Sequence, residues 1–489
     1  MAGSVIVIGS GFAGLSAASF MAKAGWKVQV LEKNETPGGR ARQLREDGFV
    51  FDMGPSWYWM PDVFERYFAR FGKNVSDYYR LHRLDPSYRV YWEQGHTDLP
   101  ADYEALKAVF ESMEPGSGHR LDRFMAEAAY KYEVGINKLV YKPGQSLREF
   151  LDPAVLKGVF RLDVFRSIRS HIARYFKDAR LRQLMEFPVL FLGALPQNTP
   201  ALYSLMNYAD IRGGTWYPEG GMYAVVQAMY DLARELGVTF HFGEEAREIV
   251  IEQGRARRVL TDRGTYEADA VISGADYHFT EKNLLAPPYR SYSDSYWDRR
   301  VMAPSCLMYY VGVRKKLRDV LHHALFFDVP FEPHAREIYS DPRWPSNPLF
   351  YVSVNSVTDP TVAPPGHENL VFLVPVASGL QGDTEELRDR YFRQIVRRME
   401  QHTGQDFAQD IVYRKTFSVS DFSHDYNSFR GNAYGLANTL RQTAILKPSC
   451  RSRKVRNLYY TGQLTVPGPG VPPSLISGEV VAQEVLKSF

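Results

Sequence analysis

Hydrophobic residues at the start of the chain are spaced so as to predict a strand, a turn, a helix and a second strand. Ser4–Ile8 is a short apolar run rich in β-branched residues, which is typical of a buried parallel strand. Residues 15–25 then place apolar side chains at helical spacing, and the next apolar run ends at Glu32. A Gly-x-Gly-x-x-Gly pattern occupies residues 9–14 between the first strand and the helix. In this β-α-β context such a pattern indicates a dinucleotide site.

The residue types in this turn suit a pyrophosphate. Glycines allow a tight turn and let the backbone approach the phosphates, while the N-terminus of the next helix offers free N–H groups and a partial positive charge. Glu32 ends the second strand where a carboxylate is expected to hold a ribose hydroxyl. At this point NAD and FAD both remain open as the cofactor.

The residues that follow favour a flavin. Gly38-Gly39-Arg40-Ala41 and then Asp52-Met53-Gly54-Pro55-Ser56 come after the predicted dinucleotide fold. With this order the chain resembles the flavoprotein amine oxidase and carotenoid desaturase superfamily, whose members place Gly-Gly-Arg here. The resemblance implies that FAD is the cofactor, that Arg40 and its neighbours lie along the diphosphate, and that the Gly54–Ser56 turn approaches the flavin. An arginine also suits phosphate by itself, because its fixed fork of donors matches the oxygens.

The C-terminal part of the chain extends the likeness. Residues 457–463 lead into Pro467-Gly468-Pro469-Gly470-Val471-Pro472-Pro473-Ser474 and a closing helix. This passage resembles the C-terminal flavin motif of bacterial phytoene desaturases, especially the lycopene-forming ones. Gln463 departs from the pattern, because many members of the superfamily carry an acidic residue there, although an amide still hydrogen-bonds a hydroxyl. Ala246 falls where the family usually has a valine next to the adenosine.

Together the motif and the resemblance assign a set of residues to FAD. These are Gly9, Ser10, Gly11, Phe12, Ala13, Gly14, Glu32, Lys33, Gly38, Gly39, Arg40, Ala41, Gly54, Pro55, Ser56, Ala246, Gly462, Gln463, Val471, Pro472 and Ser474.

The resemblance covers residues 1–489 and implies an α/β fold with two interleaved domains. A Rossmann-type FAD-binding domain is expected from residues 1–75, 210–285 and 415–489. A mixed α+β substrate domain with membrane-facing helices is expected from residues 76–209 and 286–414. We find no Ser/Gly-rich linker, internal repeat or low-complexity tract in the sequence, which agrees with such interleaving.

Three stretches bear on membranes and on an apolar substrate. Phe187–Ala209 and Asn457–Gly478 are uncharged, but prolines and glycines interrupt them, so neither is expected to cross a bilayer as a helix. Phe187–Ala209 is instead a candidate wall for an apolar tunnel, with an ordinary buried core segment as the alternative. Val155–Leu184 predicts a basic amphipathic helix, which either lies on an anionic membrane or packs on a core.

Composition narrows the remaining classes. The net charge is +3 without a block of like charges, so nucleic acid is not expected as a partner. Cys306 and Cys450 give neither metal-ligand spacing nor a disulfide framework, which fits a reducing cytoplasm. Residues 1–22 lack the basic start of an export signal. The adjacent His322 and His323 are expected to point apart at the surface, and no metal site is predicted.

The likeness implies an FAD-dependent enzyme that desaturates phytoene toward lycopene. Its substrate would be a long polyene, held by apolar burial at about 25 cal/mol per Å². Hydride would pass to the flavin, the neighbouring carbon would lose a proton, and oxygen or a membrane quinone would take up the electrons. The enzyme is expected in the cytoplasm, associated peripherally with the inner face of the cell membrane. Its catalytic residues remain unknown, and Asp210 and Glu219 are candidates only by their position beside the glycine-rich residues 213–222.

Three alternatives remain open. One keeps the fold and changes the substrate, as in a hydroxycarotenoid 3,4-desaturase or a related carotenoid isomerase or saturase. A second is an amine or protoporphyrinogen oxidase, although Cys450 is poorly placed to tether a flavin. The third is a prenyl-binding protein like the GDP-dissociation inhibitors, which use no flavin and lack the intact glycine pattern that this chain has.

Overall fold

The structure is a computed structural model that describes residues 3–146, 149, 163, 166–190, 193–439 and 441–489. Its strands in chain order are β1 (Ser4–Ile8), β2 (Lys27–Leu31), β3 (Gln43–Glu46), β4 (Phe49–Asp52), β5 (Leu81–Arg83), β6 (Tyr88–Trp92), β7 (His96–Leu99), β8 (Trp216–Pro218), β9 (Thr239–His241), β10 (Ala246–Glu252), β11 (Arg255–Thr261), β12 (Thr265–Glu267), β13 (Ala270–Ser273), β14 (Ser305–Val313), β15 (His323–Phe327), β16 (Phe350–Ser353), β17 (Glu368–Val376), β18 (Ile411–Phe417) and β19 (Leu458–Tyr460). Its helices are α1 (Phe12–Lys23), α2 (Pro61–Ala69), α3 (Tyr103–Met113), α4 (Ser117–Val134), α5 (Ile168–Ile172), α6 (Ala179–Leu190), α7 (Leu205–Ile211), α8 (Met222–Glu235), α9 (Tyr277–Phe279), α10 (Asp294–Asp298), α11 (Phe331–Tyr339), α12 (Glu385–Thr403), α13 (Val419–Tyr426) and α14 (Val471–Leu486).

A five-stranded parallel sheet has the order β19-β13-β1-β2-β9. Its central strand β1 is apolar and buried at Val5, Ile6 and Val7, as a parallel sheet covered on both faces requires. α1 carries the chain from β1 to β2 and packs against α8 and α14. The strand–turn–helix–strand order is as the sequence predicts, with α1 beginning at Phe12 rather than at residue 15.

A seven-stranded mixed sheet has the order β18-β14-β17-β16-β15-β6-β7. Successive residues of a strand point to opposite faces, so this sheet contributes to two separate cores. In β14, Cys306 and Met308 belong to the larger core, while Leu307 and Tyr309 belong to the core that α12 covers. One face of this sheet is therefore closed by a helix, and the other faces the rest of the molecule.

The two sheets are built from different parts of the chain. The parallel sheet takes its strands from residues 4–31, 239–273 and 458–460, all within the segments predicted for the FAD domain. The mixed sheet takes its strands from residues 88–99, 305–376 and 411–417. The last of these strands, β18, crosses the boundary expected at residue 415.

The basic stretch Val155–Leu184 is not one continuous helix in its described part. α5 and α6 are separate, because Asp178 accepts hydrogen bonds from the N–H groups of Arg180 and Leu181 and so caps a new helix. The apolar residues of this part lie in the larger core: Ile168, Ile172 and Phe176. Packing on protein thus accounts for that face, and residues 155–162 lie outside the described residues. Among the described residues, no helix is both long and apolar enough to cross a bilayer.

Candidate cofactor and substrate cavity

β1 delivers the glycine-rich turn to the N-terminus of α1. Gly11 caps this helix without a side chain, which leaves the N–H groups of the first turn to other acceptors. A Cβ on Gly14 would lie 2.0 Å from the carbonyl oxygen of Gly9, so only glycine permits this close packing of helix on turn. The turn therefore presents N–H donors and the positive end of the α1 dipole to an anion.

Glu32 is fixed at the end of β2 by hydrogen bonds from two residues. Its Oε2 accepts from the backbone N–H and the hydroxyl of Ser10, each at 2.8 Å. Its Oε1 accepts from the backbone N–H and the side-chain amide of Asn34, each at 2.9 Å. These hydrogen bonds fix the carboxyl group in place, and a ribose hydroxyl would share its oxygens with these donors.

Arg40 adds a charged side chain to the lining of the same region. Its Nη2 donates to Ser428 Oγ at 3.0 Å and, at a longer 3.4 Å, to the carbonyl oxygen of Asn432. Its Nε is buried and has no hydrogen-bond partner among the described residues. Burial lowers the pKa of the guanidinium, and the nearby Asp276 carboxylate opposes this shift. A guanidinium at the cavity wall suits the diphosphate of a dinucleotide, because it carries a charge and several N–H donors.

The loop between β19 and α14 forms another wall. The Ser477 hydroxyl oxygen accepts from the N–H of Gly462 at 3.0 Å and so fixes the start of this loop. Gln463 donates through Nε2 to Asn432 Oδ1 at 3.0 Å, which leaves its carbonyl oxygen for a hydroxyl donor. α14 begins at Val471 with Gly470 as a cap that lacks a side chain.

These elements surround one cavity of about 370 Å³. The predicted residues that line it are Gly9, Gly11, Phe12, Ala13, Glu32, Lys33, Gly38, Gly39, Arg40, Ala41, Gly54, Pro55, Ser56, Ala246, Gly462, Gln463, Val471, Pro472 and Ser474. Ser10 and Gly14 do not line the cavity but lie behind its wall, where Ser10 holds Glu32 and Gly14 packs against Gly9. The structure thus brings together residues that are separated by more than four hundred positions in the chain.

Next to Ser56 the lining contains a group of aromatic, sulfur-containing and aliphatic side chains. The residues of this apolar section are Trp57, Trp59, Met60, Met206, Met308 and Leu373. Phe187 backs the section, with its ring centroid 5.7 Å from that of Trp57 and 6.3 Å from that of Trp59. The uncharged stretch Phe187–Ala209, predicted as a tunnel wall, therefore reaches the cavity through Met206 and supports it through Phe187.

Several lining residues were not found from the sequence. Glu244, Glu245 and the segment Gly274–Tyr277 stand at the carboxyl ends of β9 and β13. The rule that ligands bind at the carboxyl ends of parallel strands would have indicated the second group. Cys306 and Tyr351 come from the mixed sheet. Alternation in those strands shows which residues share a face, but no local signal shows which face meets a cofactor.

The two acidic candidates for catalysis do not line the cavity. Asp210 is buried behind it, where it accepts a hydrogen bond from the Tyr88 hydroxyl at 2.8 Å, and burial raises its pKa to about 7. Glu219 lies at the surface and pairs with His82 at 3.2 Å. Neither carboxylate is placed to touch a reacting atom.

The prediction for the adjacent histidines was wrong. His322 and His323 are both buried, and their ring centroids lie only 4.5 Å apart. The reason is topological: β15, which begins at His323, is an inner strand between β16 and β6 and is covered on both faces. Cys306 and Cys450 are buried free thiols.

One group of described residues brings metal-type ligand atoms together. Glu127, Asp163 and His171 offer ligand atoms within 4.8 Å of one another. Lys131 already pairs with Asp163 at 3.3 Å, so a cationic partner is present. The prediction that the chain has no metal site stays a prediction.

Comparison with known proteins defines the class of this cavity. Residues 12–486 match the family described as flavin containing amine oxidoreductase, and the chain belongs to that family. A carotenoid 3,4-desaturase of Haloarcula japonica is 43% identical over 99% of this chain and 98% of its own length. A zeta-carotene-forming phytoene desaturase of Myxococcus xanthus is 34% identical over 99% of this chain and 93% of its own length. The chain is thus a flavin-containing oxidoreductase of the carotenoid desaturases, with FAD as its cofactor.

The solved structures agree at the level of the fold. An oxidoreductase of Methanosarcina mazei superimposes with a TM-score of 0.65 at 16% identity, over 98% of this chain and 100% of that chain. The predicted α/β class with Rossmann-like parallel elements is confirmed. Of the two carotenoid relatives, the more similar one acts at a 3,4 bond, which agrees better with the sequence-based alternative than with a lycopene-forming phytoene desaturase.

Proposed function

We propose that this chain introduces a double bond at the 3,4 position of a long carotenoid, with FAD as the hydride acceptor. The observation that carries the proposal is that one cavity is lined by two different groups of residues. Its first part offers N–H groups, Glu32 and Arg40, whereas its second part offers aromatic rings and methionines. A dinucleotide suits the first part and a hydrocarbon the second. The 43% identity to a carotenoid 3,4-desaturase supports the choice of bond.

The residues of the first part would hold FAD at both ends of its diphosphate. The N-terminus of α1 and the Arg40 guanidinium would bind the phosphate oxygens. Glu32 would accept from the adenosine ribose, with Ala246 beside the adenosine, and the Gly462–Ser474 loop would follow the rest of the cofactor. Bound FAD supplies the acceptor for a hydride taken from a carbon next to a double bond.

The second part would hold and orient the polyene. Trp57 and Trp59 present flat apolar rings, against which a conjugated chain stacks without losing hydrogen bonds to water. Side chains here carry no fixed charge, so burial of apolar area is the source of affinity. The same walls exclude water from the carbon that loses hydride.

Two substrates separate this function from the second candidate, phytoene desaturation. Purified FAD-loaded protein would be incubated in liposomes with either lycopene or phytoene, and flavin-free protein would serve as the control. A 3,4-desaturase extends the conjugation of lycopene and shifts its absorption to longer wavelength, while phytoene stays colourless. Colour formation from phytoene, with lycopene unchanged, would instead establish the second candidate, which the relative of 34% identity supports.

We further propose that the enzyme works at the inner surface of the cell membrane and passes its electrons to oxygen or a quinone. The support is chemical, because a C40 hydrocarbon dissolves in a bilayer rather than in water. The exposed cations Arg166, Arg174 and Arg180 lie around α5 and the start of α6, where anionic lipid would attract them. Co-sedimentation with anionic but not neutral liposomes tests the attachment, and a lack of salt dependence would refute it. Flavin reoxidation followed separately with oxygen and with a quinone would identify the acceptor.

A further inference from the structure

A chain of three polar side chains ends at the apolar section of the cavity. Tyr351 donates a hydrogen bond from its hydroxyl to Ser56 Oγ at 3.1 Å, and His323 Nδ1 lies 2.7 Å from the same tyrosine oxygen. Ser56 and Tyr351 line the cavity, whereas His323 lies behind Trp57. The Trp57 and His323 rings stack with centroids 4.1 Å apart and planes inclined by 12°, which fixes the imidazole.

The direction of these hydrogen bonds follows from the protons available. Tyr351 has one hydroxyl proton and gives it to Ser56, so His323 must act as the donor through an Nδ1–H group. Burial, together with the neighbouring His322, holds the pKa of His323 well below its usual range, so the ring is neutral. The bonds therefore all run the same way, from His323 through Tyr351 to Ser56. Ser56 accepts within the chain and keeps its own proton for an acceptor in the cavity.

The position of Ser56 indicates which part of FAD this acceptor belongs to. Under the proposed function, Glu32 and Ala246 are assigned to the adenosine end of FAD and Arg40 to its diphosphate. The Gly54–Ser56 turn packs directly on the Arg40 segment, since a Cβ on Gly54 would lie 2.2 Å from the Arg40 carbonyl oxygen. On its other side Ser56 contacts Tyr351, whose ring lies beside Trp57 of the apolar section. Ser56 therefore lies between the residues assigned to the diphosphate and the apolar section, where the isoalloxazine ring is expected.

We propose that Ser56, polarised by Tyr351 and His323, donates a hydrogen bond to a nitrogen or carbonyl oxygen of the isoalloxazine ring and raises the reduction potential of the flavin. Aligned hydrogen bonds strengthen one another, so the last donor of such a chain is stronger than an isolated serine. Reduction increases the electron density on the ring heteroatoms, and a donor there stabilises the reduced form more than the oxidised form. Ser56 is then a ligand of the cofactor, and Tyr351 and His323 are positioning residues.

The proposal is tested on the flavin itself and needs no carotenoid, so it stands or falls separately from the proposed function. The FAD-loaded protein would be compared with Ser56→Ala, Ser56→Thr and Tyr351→Phe by redox titration and by the Raman frequencies of the flavin carbonyls. Tyr309→Phe is the matched control, because Tyr309 is buried in the same sheet, donates to the Arg388 carbonyl oxygen and lies on the opposite face.

We expect Ser56→Ala to make flavin reduction about tenfold less favourable, which for a two-electron couple is a potential lower by about 30 mV. Tyr351→Phe should lower the potential by less, and Ser56→Thr, which keeps the hydroxyl, should stay near the parent value. Tyr309→Phe should leave both the potential and the carbonyl frequencies unchanged.

Two results would overturn the proposal. One is a Ser56→Ala protein that retains FAD with the parent potential and carbonyl frequencies. The other is a Tyr309→Phe shift as large as that of Tyr351→Phe, which would make the effect a general consequence of losing a buried hydroxyl. If Ser56→Ala fails to retain FAD, the comparison of Tyr351→Phe with Tyr309→Phe decides, and equal potentials in that pair would refute the chain.

Discussion

Replacing Arg40 by methionine tests whether the first part of the cavity holds a diphosphate. Arg40 lines the cavity with a charged guanidinium, so we expect at least one charge-assisted hydrogen bond to FAD to depend on it. Such a bond contributes about 1.5–3 kcal/mol. At about 1.4 kcal/mol per tenfold change, Arg40→Met should weaken FAD binding by roughly 10- to 150-fold. Arg40→Lys keeps the charge but loses the planar fork, so its affinity for FAD should lie between that of the parent and that of Arg40→Met.

The assay is a titration of flavin-free protein with FAD, followed by the quenching of flavin fluorescence. Arg45→Met is the matched control, because Arg45 lies in the neighbouring strand β3, is exposed, and changes the net charge by the same amount. Its affinity for FAD should stay within about twofold of the parent, since an exposed charge is largely screened by salt. Equal losses in Arg40→Met and Arg45→Met, or no loss in Arg40→Met, would refute the assignment of Arg40 to the diphosphate.

Three further predictions follow from local geometry. Gly11→Ala places a Cβ no closer than 4.0 Å to other protein atoms, so it should weaken FAD binding but leave the melting temperature of flavin-free protein unchanged. Gly14→Ala places its Cβ 2.0 Å from the Gly9 carbonyl oxygen, so it should lower both the affinity for FAD and the melting temperature. The folded chain keeps the Asp210 proton up to a pKa of about 7, while an unfolded aspartate loses it near about 3.9, so this carboxyl favours folding at low pH and loses that effect as the pH rises to 7. The free energy of unfolding of Asp210→Asn in urea, relative to that of the parent, should therefore be higher at pH 8 than at pH 5. A difference that is the same at both pH values would contradict this. Trp57→Leu should weaken polyene binding about tenfold through the loss of a flat apolar wall, with FAD affinity retained, and equal loss of both ligands would argue against separate sections.

The first part of the cavity was largely predictable, because the residues assigned to FAD lie in continuous segments with local geometric constraints. The turn at residues 9–14 needs glycine to pack on a strand end, and Glu32 needs only the length of one β-α-β unit to be placed. Asp276 was not assigned to the site from the sequence, because its role depends on a neighbour, Arg40, that is more than two hundred residues away.

The substrate section was much less predictable. The sequence around His322 and His323 does not indicate that they are buried. Their burial depends on the pairing of β15 with β16 and β6, which lie elsewhere in the chain. A helix was expected through residues 173–178, but α5 ends at Ile172 and Asp178 caps the start of the separate helix α6. In the first case the structure depends on a tertiary interaction, and in the second on a single polar side chain. The spacing of hydrophobic residues along the chain indicates neither.

The two sheets contribute to different parts of the cavity, and this affects how substrate specificity can change in this fold. FAD would be held by turns at the carboxyl edge of the parallel sheet, whereas the walls near its reactive end include alternate residues of the mixed sheet, such as Cys306, Met308 and Leu373. Their neighbours in β14 and β17 face α12 and support the sheet independently. Substitutions at the cavity-facing positions can therefore reshape the space for the polyene while the cofactor turns and the second core stay intact. We expect relatives with different carotenoid substrates to differ mainly at these alternate positions. Replacing these residues of the chain by those of such a relative tests this expectation. A change in FAD affinity without a change in substrate choice would contradict it.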